Sequence, residues 1–461
     1  MLTYAIGKRL LAASIAWMGA AILPLCSLWL QYGRMAVQDI VLTCLELLGI
    51  WALLQAETSD RRRLFWGMVA GTTVGLGFLI KSIMIVLPIV ALSPYLLHHH
   101  RHFRNPGLYL GVVIGFLPVS LWLWLSYQRY GLMPFQQLFG HLFMLGSKQF
   151  HADAGLLYYF WNIPLNAFPW ALLALVGIGV VGYQLLVSHP SSLVIGHWLL
   201  GVQKIKDNRQ ITNHEGQTLP RISLLLYPLI LFAALTVFST RTPYYALQLY
   251  PFVGLFAAVA LVWLANQAKS GITLVVSYGV GGLAIVLLIM GLLAIAGMIP
   301  IPVEFRVYGV LLCILGGGWL LLPWLWQRKQ LRQWLAIWLL APWLTLAVAG
   351  VVGLWGNYNP DVKATLASAQ LSSVLQHHAV SVVVHDLQPE EHKTWVLLSF
   401  YTPQLGRSLP SLSALPVGSY AWVSPRVAIE PAEGYQVVAS LRNWRLVLCK
   451  LNLPGNQPPG S

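Results

Sequence analysis

The chain has 461 residues, of which 57% are hydrophobic and only 9% are Asp, Glu, Lys or Arg, against about 25% charged residues in ordinary soluble domains. So few charges cannot cover a soluble fold of this length. That excludes a cytosolic enzyme, a disordered chain and a secreted disulfide scaffold, and makes lipid the solvent for most of the chain.

The net charge is +14. The basic residues sit in short loops between apolar runs, so they read as a topology signal, and no nucleic-acid partner is expected. The four cysteines, Cys26, Cys44, Cys313 and Cys449, have no metal-binding spacing; the first three lie in apolar runs and read as buried packing residues.

Eleven runs have the length and apolarity of a spanning helix of about 20 residues: 10–30, 40–56, 64–80, 83–97, 107–127, 161–187, 223–238, 244–265, 272–297, 307–326 and 333–356. Only Lys81 and Ser82 divide the third from the fourth. One helix over 64–97 would be about 51 Å long at about 1.5 Å per residue, too long for a hydrocarbon core of about 30 Å. Two helices joined by a tight hairpin at Lys81 fit better, with Pro88 and Pro94 bending the second.

This count puts fifteen basic residues on one side, including Arg61, Arg62, Arg63, Arg101 and Arg104, and six on the other, with seven in the tail. The richer side is expected to be cytoplasmic, with the N-terminus inside and residues 357–461 outside. The tail changes character. "DVKATLASAQLSSVLQHH" reads as a helix, while "AVSVVVHD", "TWVLLSFY", "GSYAWVS" and "YQVVASLRNWRLVLCKL" read as strands. The expected architecture is an all-α polytopic membrane protein with a small C-terminal α/β extracytoplasmic domain. Its parts are a transmembrane domain at 1–356, the α/β domain at 357–452 and a disordered tail at 453–461.

The poorer side carries few polar residues, which makes them informative. Arg34 and Asp39 lie in its first loop, Lys81 in its second, and Arg241 in its fourth. The third loop, about 128–160, is amphipathic and aromatic and is expected to hold an interfacial helix. Cations at span ends on one face suit a lipid-linked phosphate, and a nearby carboxylate suits proton abstraction from a hydroxyl. Plainer roles stand beside these. Asp39 also reads as a helix N-cap, Lys81 and Arg241 as snorkelling ends, and Arg34 as an interfacial anchor. His151 and Asp153 and the run "HHHRHFR" at 98–104 are read as loop and topology features rather than metal sites. No cofactor is expected, and nothing in the sequence supports a divalent cation.

Four segments, in order, resemble the membrane glycosyltransferases of the protein O-mannosyltransferase and aminoarabinose transferase kind. They are "YGRMAVQDIVLTCLELLGIWALL", "RRRLFWGMVAGTTVGLGFLIKSIMIVLPIVAL", "GLLYYFWNIPLNAFPWALLAL" and "FSTRTPYYALQLYPFVGLFAA", within residues 31–256. The resemblance implies a GT-C-type fold in a cell membrane, expected to be a bacterial inner membrane. It implies a polyprenyl-phosphate sugar as donor on the outer face, and a lipid, polysaccharide or protein hydroxyl as acceptor. On it, Lys81, Arg241 and Arg34 hold the donor phosphate, Asp39 is the catalytic carboxylate, and Tyr244, Tyr245, Tyr158 and Tyr159 line the substrate cavity.

One departure stands out. The family's main catalytic acidic pair follows its first span, and no acidic residue precedes Asp39 here. The resemblance therefore leads to the expectation that the chain is N-terminally truncated and inactive as it stands. The alternative reading is a transporter or flippase of a lipid-linked glycan, which would need polar residues near mid-span; Glu46 is the clearest of these.

Overall fold

The computed structural model describes residues 1–450 except 36, 59, 137, 139, 141–154, 188–225, 239, 268–270, 301, 303–304, 357, 385–388 and 430–433. The chain divides into two units, Met1–Trp355 and Gly356–Ser461.

The first unit is helical. It begins with α1 (Leu2–Leu10), α2 (Ala13–Ile22), α3 (Ser27–Gly33), α4 (Gln38–Thr58), α5 (Arg63–Lys81), α6 (Val86–Ala91), α7 (Ser93–His98) and α8 (Pro106–Tyr130). It continues with α9 (Tyr158–Asn166), α10 (Trp170–Val187), α11 (Tyr227–Val237), α12 (Tyr250–Asn266), α13 (Gly271–Ile295), α14 (Arg306–Trp319), α15 (Leu321–Gln327) and α16 (Leu331–Val351). Helix α12 is the hub, buried along its length by Leu255, Phe256, Val259 and Leu261. Helix α8 leaves Val113, Leu117, Leu121, Trp124 and Leu125 exposed, an apolar face made for lipid.

Among the described residues, seven helices are long and apolar enough to cross a membrane, or nine if each of two sharply bent pairs counts once. The expected count of eleven exceeds this by the runs at 83–97 and 223–238. In the second of these, only the 11-residue α11 is described as helix. The run at 83–97 is broken into α6 and α7 by Pro94 at the start of α7, so helix length alone misses it, but its path does not. Lys81 meets Asp39 at the start of α4, whereas Tyr95 meets Glu57 at the end of α4. Eighteen residues of helix separate Asp39 from Glu57, roughly 27 Å. Residues 82–95 therefore travel the length of α4 as a broken crossing.

The turn that starts this crossing is sharp. Ser82 has a φ of 50°, and its amide closes α5 on the Phe78 carbonyl. Ile85 then packs where a side chain on Gly77 would stand. A continuous helix would put those two residues about 12 Å apart along its axis, so the chain folds back directly after Lys81.

Glycine sets the position of α5. A Cβ on Gly71 would collide with the Leu108 carbonyl, and one on Gly107 or Gly111 with the carbonyls of Leu64 or Met68. The repeated four-residue spacing, 67, 71 and 75 on α5 and 107, 111 and 115 on α8, lets the two backbones touch along a seam. Lys81 lies at the far end of that seam. Of the cysteines, Cys26 and Cys449 are buried, while Cys44 is exposed on α4, contrary to the expectation that it packs inside.

The second unit is an α/β sandwich of one sheet with helices. It contains α17 (Pro360–Leu366), α18 (Ala369–His377), β1 (Val380–Val383), α19 (Pro389–Tyr401), β2 (Leu405–Leu409), β3 (Tyr420–Val423), β4 (Tyr435–Leu441) and β5 (Trp444–Cys449). The sheet order is β2-β1-β3-β5-β4, with β1 parallel to both β2 and β3 and the β4–β5 hairpin antiparallel. "TWVLLSFY", expected as a strand, is instead the body of α19. Parallel β1 and β2 need a crossover, and this segment supplies it. The helix expected over "DVKATLASAQLSSVLQHH" is two helices, α17 and α18. The hairpin turn is tied down by Arg442, at a φ of 54°, which donates from Nε to Asp361 Oδ2 at 2.7 Å and from Nη2 to Asp361 Oδ1 at 3.1 Å.

Candidate active site at the Lys81 end of the bundle

Helix ends position the central pair. Lys81 closes α5 and Asp39 opens α4, each at the helix end that the backbone dipole favours for its charge. Their side chains form an ion pair and are 14% and 9% exposed. The Lys81 ammonium also lies 4.9 Å from the ring centroid of Tyr244 and 4.4 Å from that of Tyr245, within cation–π range.

Those tyrosines belong to the 3-10 turn Pro243–Leu249 that leads into α12. The turn is anchored from α9: the Tyr159 hydroxyl donates to the Thr242 carbonyl at 3.0 Å. Tyr158 sits edge-on to Tyr159 with centroids 5.2 Å apart and accepts a bond from Asn162 Nδ2 at 3.2 Å. Tyr32, from α3, meets Tyr244 at 5.8 Å. Two tyrosines thus face the cation, and three more from α3 and α9 lie around that turn.

Of the residues singled out in the sequence, Asp39, Lys81, Tyr244, Tyr245, Tyr158 and Tyr159 gather here. Arg241 lies three residues before Tyr244; its Nε donates to the Thr236 carbonyl at 2.9 Å, and its charge acts on Tyr159. Arg34 is exposed, with its guanidinium 5.5 Å from the centroid of the Trp355 ring, and no described contact joins it to Lys81. His151 and Asp153 lie outside the described residues, as do the 453–461 tail and residues 137, 139 and 141–154 of the loop expected to hold an interfacial helix.

Glu46 belongs to this region as well. It lies two helical turns inward from Asp39 on the same face of α4 and is buried. Neither carboxylate oxygen has a hydrogen-bond partner among the described residues. Asp39 and Lys81 are its electrostatic neighbours, and its charge acts on Tyr227 of α11, whose hydroxyl is also buried without a partner. The seven-residue spacing puts Glu46 on the same face of α4 as Asp39, so a residue near the middle of the crossing still faces the site.

The arrangement can do two things chemically. An ammonium in a poorly solvated aromatic wall attracts an oxyanion, because each contact there is stronger than in water. A carboxylate held beside it can take a proton from an incoming hydroxyl.

Comparison with known proteins agrees with the fold. Residues 1–124 match the family model described as dolichyl-phosphate-mannose-protein mannosyltransferase. No curated protein shows a significant sequence match. The crystal structure of ArnT from Cupriavidus metallidurans bound to undecaprenyl phosphate is similar over 99% of this chain and 82% of that one, with a TM-score of 0.64 and 16% identity. The apo ArnT structure from the same organism is similar over 100% and 82%, with a TM-score of 0.63 and 16% identity. The chain thus has the fold of ArnT, with several helices long and apolar enough to cross a membrane, and its first 124 residues match the mannosyltransferase family model.

Proposed function

We propose that the chain is an integral-membrane glycosyltransferase that takes its sugar from a polyprenyl-phosphate carrier on the outer face of the membrane. The observation that carries this reading is the Lys81–Asp39 pair inside an aromatic wall. It occurs on the fold of a protein solved with undecaprenyl phosphate.

An ammonium has three N–H donors. Asp39 takes one in the ion pair, and the other two remain for phosphate oxygens. Arg241 supplies a second cation from the neighbouring loop, where a guanidinium suits phosphate better than a second lysine would. Arg34, exposed at the rim, contributes by long-range attraction of the anion. The tyrosine wall, with Tyr158, Tyr159, Tyr244 and Tyr245, packs against the sugar and the start of the prenyl chain.

When the phosphate engages Lys81, it weakens that lysine's hold on Asp39. Asp39 then accepts the proton of the acceptor hydroxyl. The acceptor oxygen forms the new bond to the anomeric carbon, and the bond from that carbon to the phosphate oxygen breaks. The electron pair leaves with polyprenyl phosphate. The acceptor is a hydroxyl of a lipid, polysaccharide or protein. The asymmetry of basic loops supports a cytoplasmic N-terminus and an external second unit.

The flippase reading is not favoured. Asp39, Lys81 and the tyrosines cluster at one end of α4 and Glu46 alone lies near its middle, whereas a carrier places its binding groups at mid-span between repeats.

The test is transfer of radiolabelled sugar from a polyprenyl-phosphate donor in membranes containing the protein. Although no acidic residue precedes Asp39, and inactivity was the expectation from that, this reading gives the base's task to Asp39, so transfer should be present with the natural sequence and fall sharply with Asp39→Asn and with Lys81→Ala. Transfer that survives both substitutions at full rate would overturn the assignment of this cluster as the active site.

A further inference from the structure

The opposite end of α4 holds a second cluster that the proposed transfer reaction does not use. Glu57, near the C-terminus of α4, points Oε1 at two imidazoles from the loop after α7. His99 Nε2 lies 3.7 Å away and His102 Nε2 lies 3.6 Å away. Ligand atoms of the three residues all fall within 4.8 Å of one another. The Tyr95 hydroxyl donates to the same Glu57 oxygen and lies 3.2 Å from His102 Nε2.

Two features do not fit a purely hydrogen-bonded knot. A separation of 3.6–3.7 Å is too long for a hydrogen bond. At that distance three metal-ligating groups stand close together with no imidazole–carboxylate hydrogen bond closing the cluster. In addition, His99 Nε2 is buried and has no hydrogen-bond partner among the described residues. A tetrahedral zinc with bonds of about 2.0–2.1 Å sets its ligand atoms about 3.4 Å apart, a few tenths of an ångström inside the observed separations.

We propose that Glu57, His99 and His102 bind a divalent transition metal of the zinc class. Two imidazoles and one carboxylate suit zinc and disfavour magnesium or calcium, which take oxygen ligands. Tyr95 orients the carboxylate from outside the ligand set, the usual task of a second shell. Entry is open, because His98, His100, Arg101, Phe103 and Arg104 around the cluster are exposed.

The metal would act as a clasp. The loop it holds is already tied to the start of α5, where Arg63 donates to the Arg101 carbonyl and Asn105 Nδ2 donates to the Arg63 carbonyl at 2.7 Å. The same Asn105 caps α8 through Gly107. One ion would therefore fix the ends of α4 and α7 and, through this loop, the starts of α5 and α8.

The experiment uses the full chain, purified in detergent through a tag without histidines. Metal content is read by mass spectrometry, and affinity for zinc alone by titration against a chelating dye in millimolar magnesium. One zinc per chain is expected. Glu57→Gln and His102→Ala should each weaken binding by more than about 100-fold, since even outer partners of a metal site are worth about 10- to 100-fold. Tyr95→Phe should weaken it by about tenfold and serves as the variant least at risk of misfolding. His98→Ala with His100→Ala should change nothing. Cobalt substitution should give visible bands of tetrahedral intensity in the natural chain and lose them in His102→Ala. Zinc binding that is absent, that survives Tyr95→Phe and His102→Ala unchanged, or that disappears only with the His98 and His100 substitutions, would overturn the proposal.

Discussion

The two ends of α4 make opposite electrostatic offers from similar parts. At one end a carboxylate, Asp39, meets a fixed cation, Lys81, under tyrosine rings. At the other a carboxylate, Glu57, meets two imidazoles and a phenol. The first pair is charge-balanced and keeps spare N–H donors, so what it lacks is an anion. The second gathers two imidazoles and a carboxylate with their ligand atoms within 4.8 Å of one another, so the ligand it suits is a cation. The partner residue, more than the carboxylate, decides which kind of ligand each end of the helix can receive.

The comparison can be broken most severely at Asp39. If this carboxylate is the base, Asp39→Asn should lower transfer by about 10²- to 10⁴-fold, while Glu57→Gln, 18 residues further along the same helix, should leave the rate within a few-fold. The expected stability effect of splitting the first pair is also large. Lys81→Ala strands Asp39 beside a tyrosine wall, and breaking a buried pair from one side costs about 3–5 kcal/mol. Thermal melting of the detergent-solubilised protein would show it, and replacing Asp39 and Lys81 together with Asn and Met should recover much of the loss.

The glycine seam that carries Lys81 gives a smaller effect. Gly111→Leu would push α5 from α8 at the Met68 carbonyl, and overpacking of this kind costs about 1–3 kcal/mol. A melting temperature unchanged by this substitution would mean that the seam does not fix α5. Smaller again is Tyr244→Leu, which removes one of two cation–π contacts worth about 0.5–2 kcal/mol each and should weaken carrier binding several-fold.

The smallest effect lies outside both clusters. The hydrogen bonds from Arg442 hold the exposed Asp361 carboxyl below its ordinary range. A carboxyl with a depressed folded-state pKa contributes stability above its unfolded value of about 3.9, and that contribution is lost as pH falls through the folded value. Arg442→Ala should therefore narrow the difference in melting temperature between pH 6 and pH 3. An unchanged difference would show that the pair does not contribute.

Much of the candidate site was legible because lipid leaves few polar residues to choose among. Asp39 and Lys81 stood out against apolar runs, while the paired tyrosines came only with the family resemblance. Glu46 was visible as a mid-span residue, but its link to Asp39 and Lys81 was not, since that depends on helix phase rather than on loop position. The Glu57 cluster escaped because it joins the end of α4 to a basic loop more than 40 residues on, where histidines resemble topology signals. The crossing at 83–97 was legible from Lys81, Pro88 and Pro94, and α6 and α7, broken after Ala91, make it without a long helix. In the second unit, "TWVLLSFY" has the composition of a strand, but the need to connect parallel β1 and β2 makes it a helix; tertiary context overrode the local pattern. The glycine seam was present in the spacing of 107, 111 and 115, a pattern whose meaning depends on knowing that α5 is the partner.

The central claim, that Lys81 receives the carrier phosphate, is tested most directly by binding rather than turnover. Native mass spectrometry of the purified chain with polyprenyl phosphate would measure carrier retention for the natural sequence, Lys81→Ala, Lys81→Arg and Glu57→Gln. A charge-assisted bond to phosphate is worth about 1.5–3 kcal/mol. Lys81→Ala should therefore weaken retention by about 10- to 150-fold, Lys81→Arg should lose less, and Glu57→Gln should match the natural chain. Equal retention by the natural chain and Lys81→Ala would contradict the account.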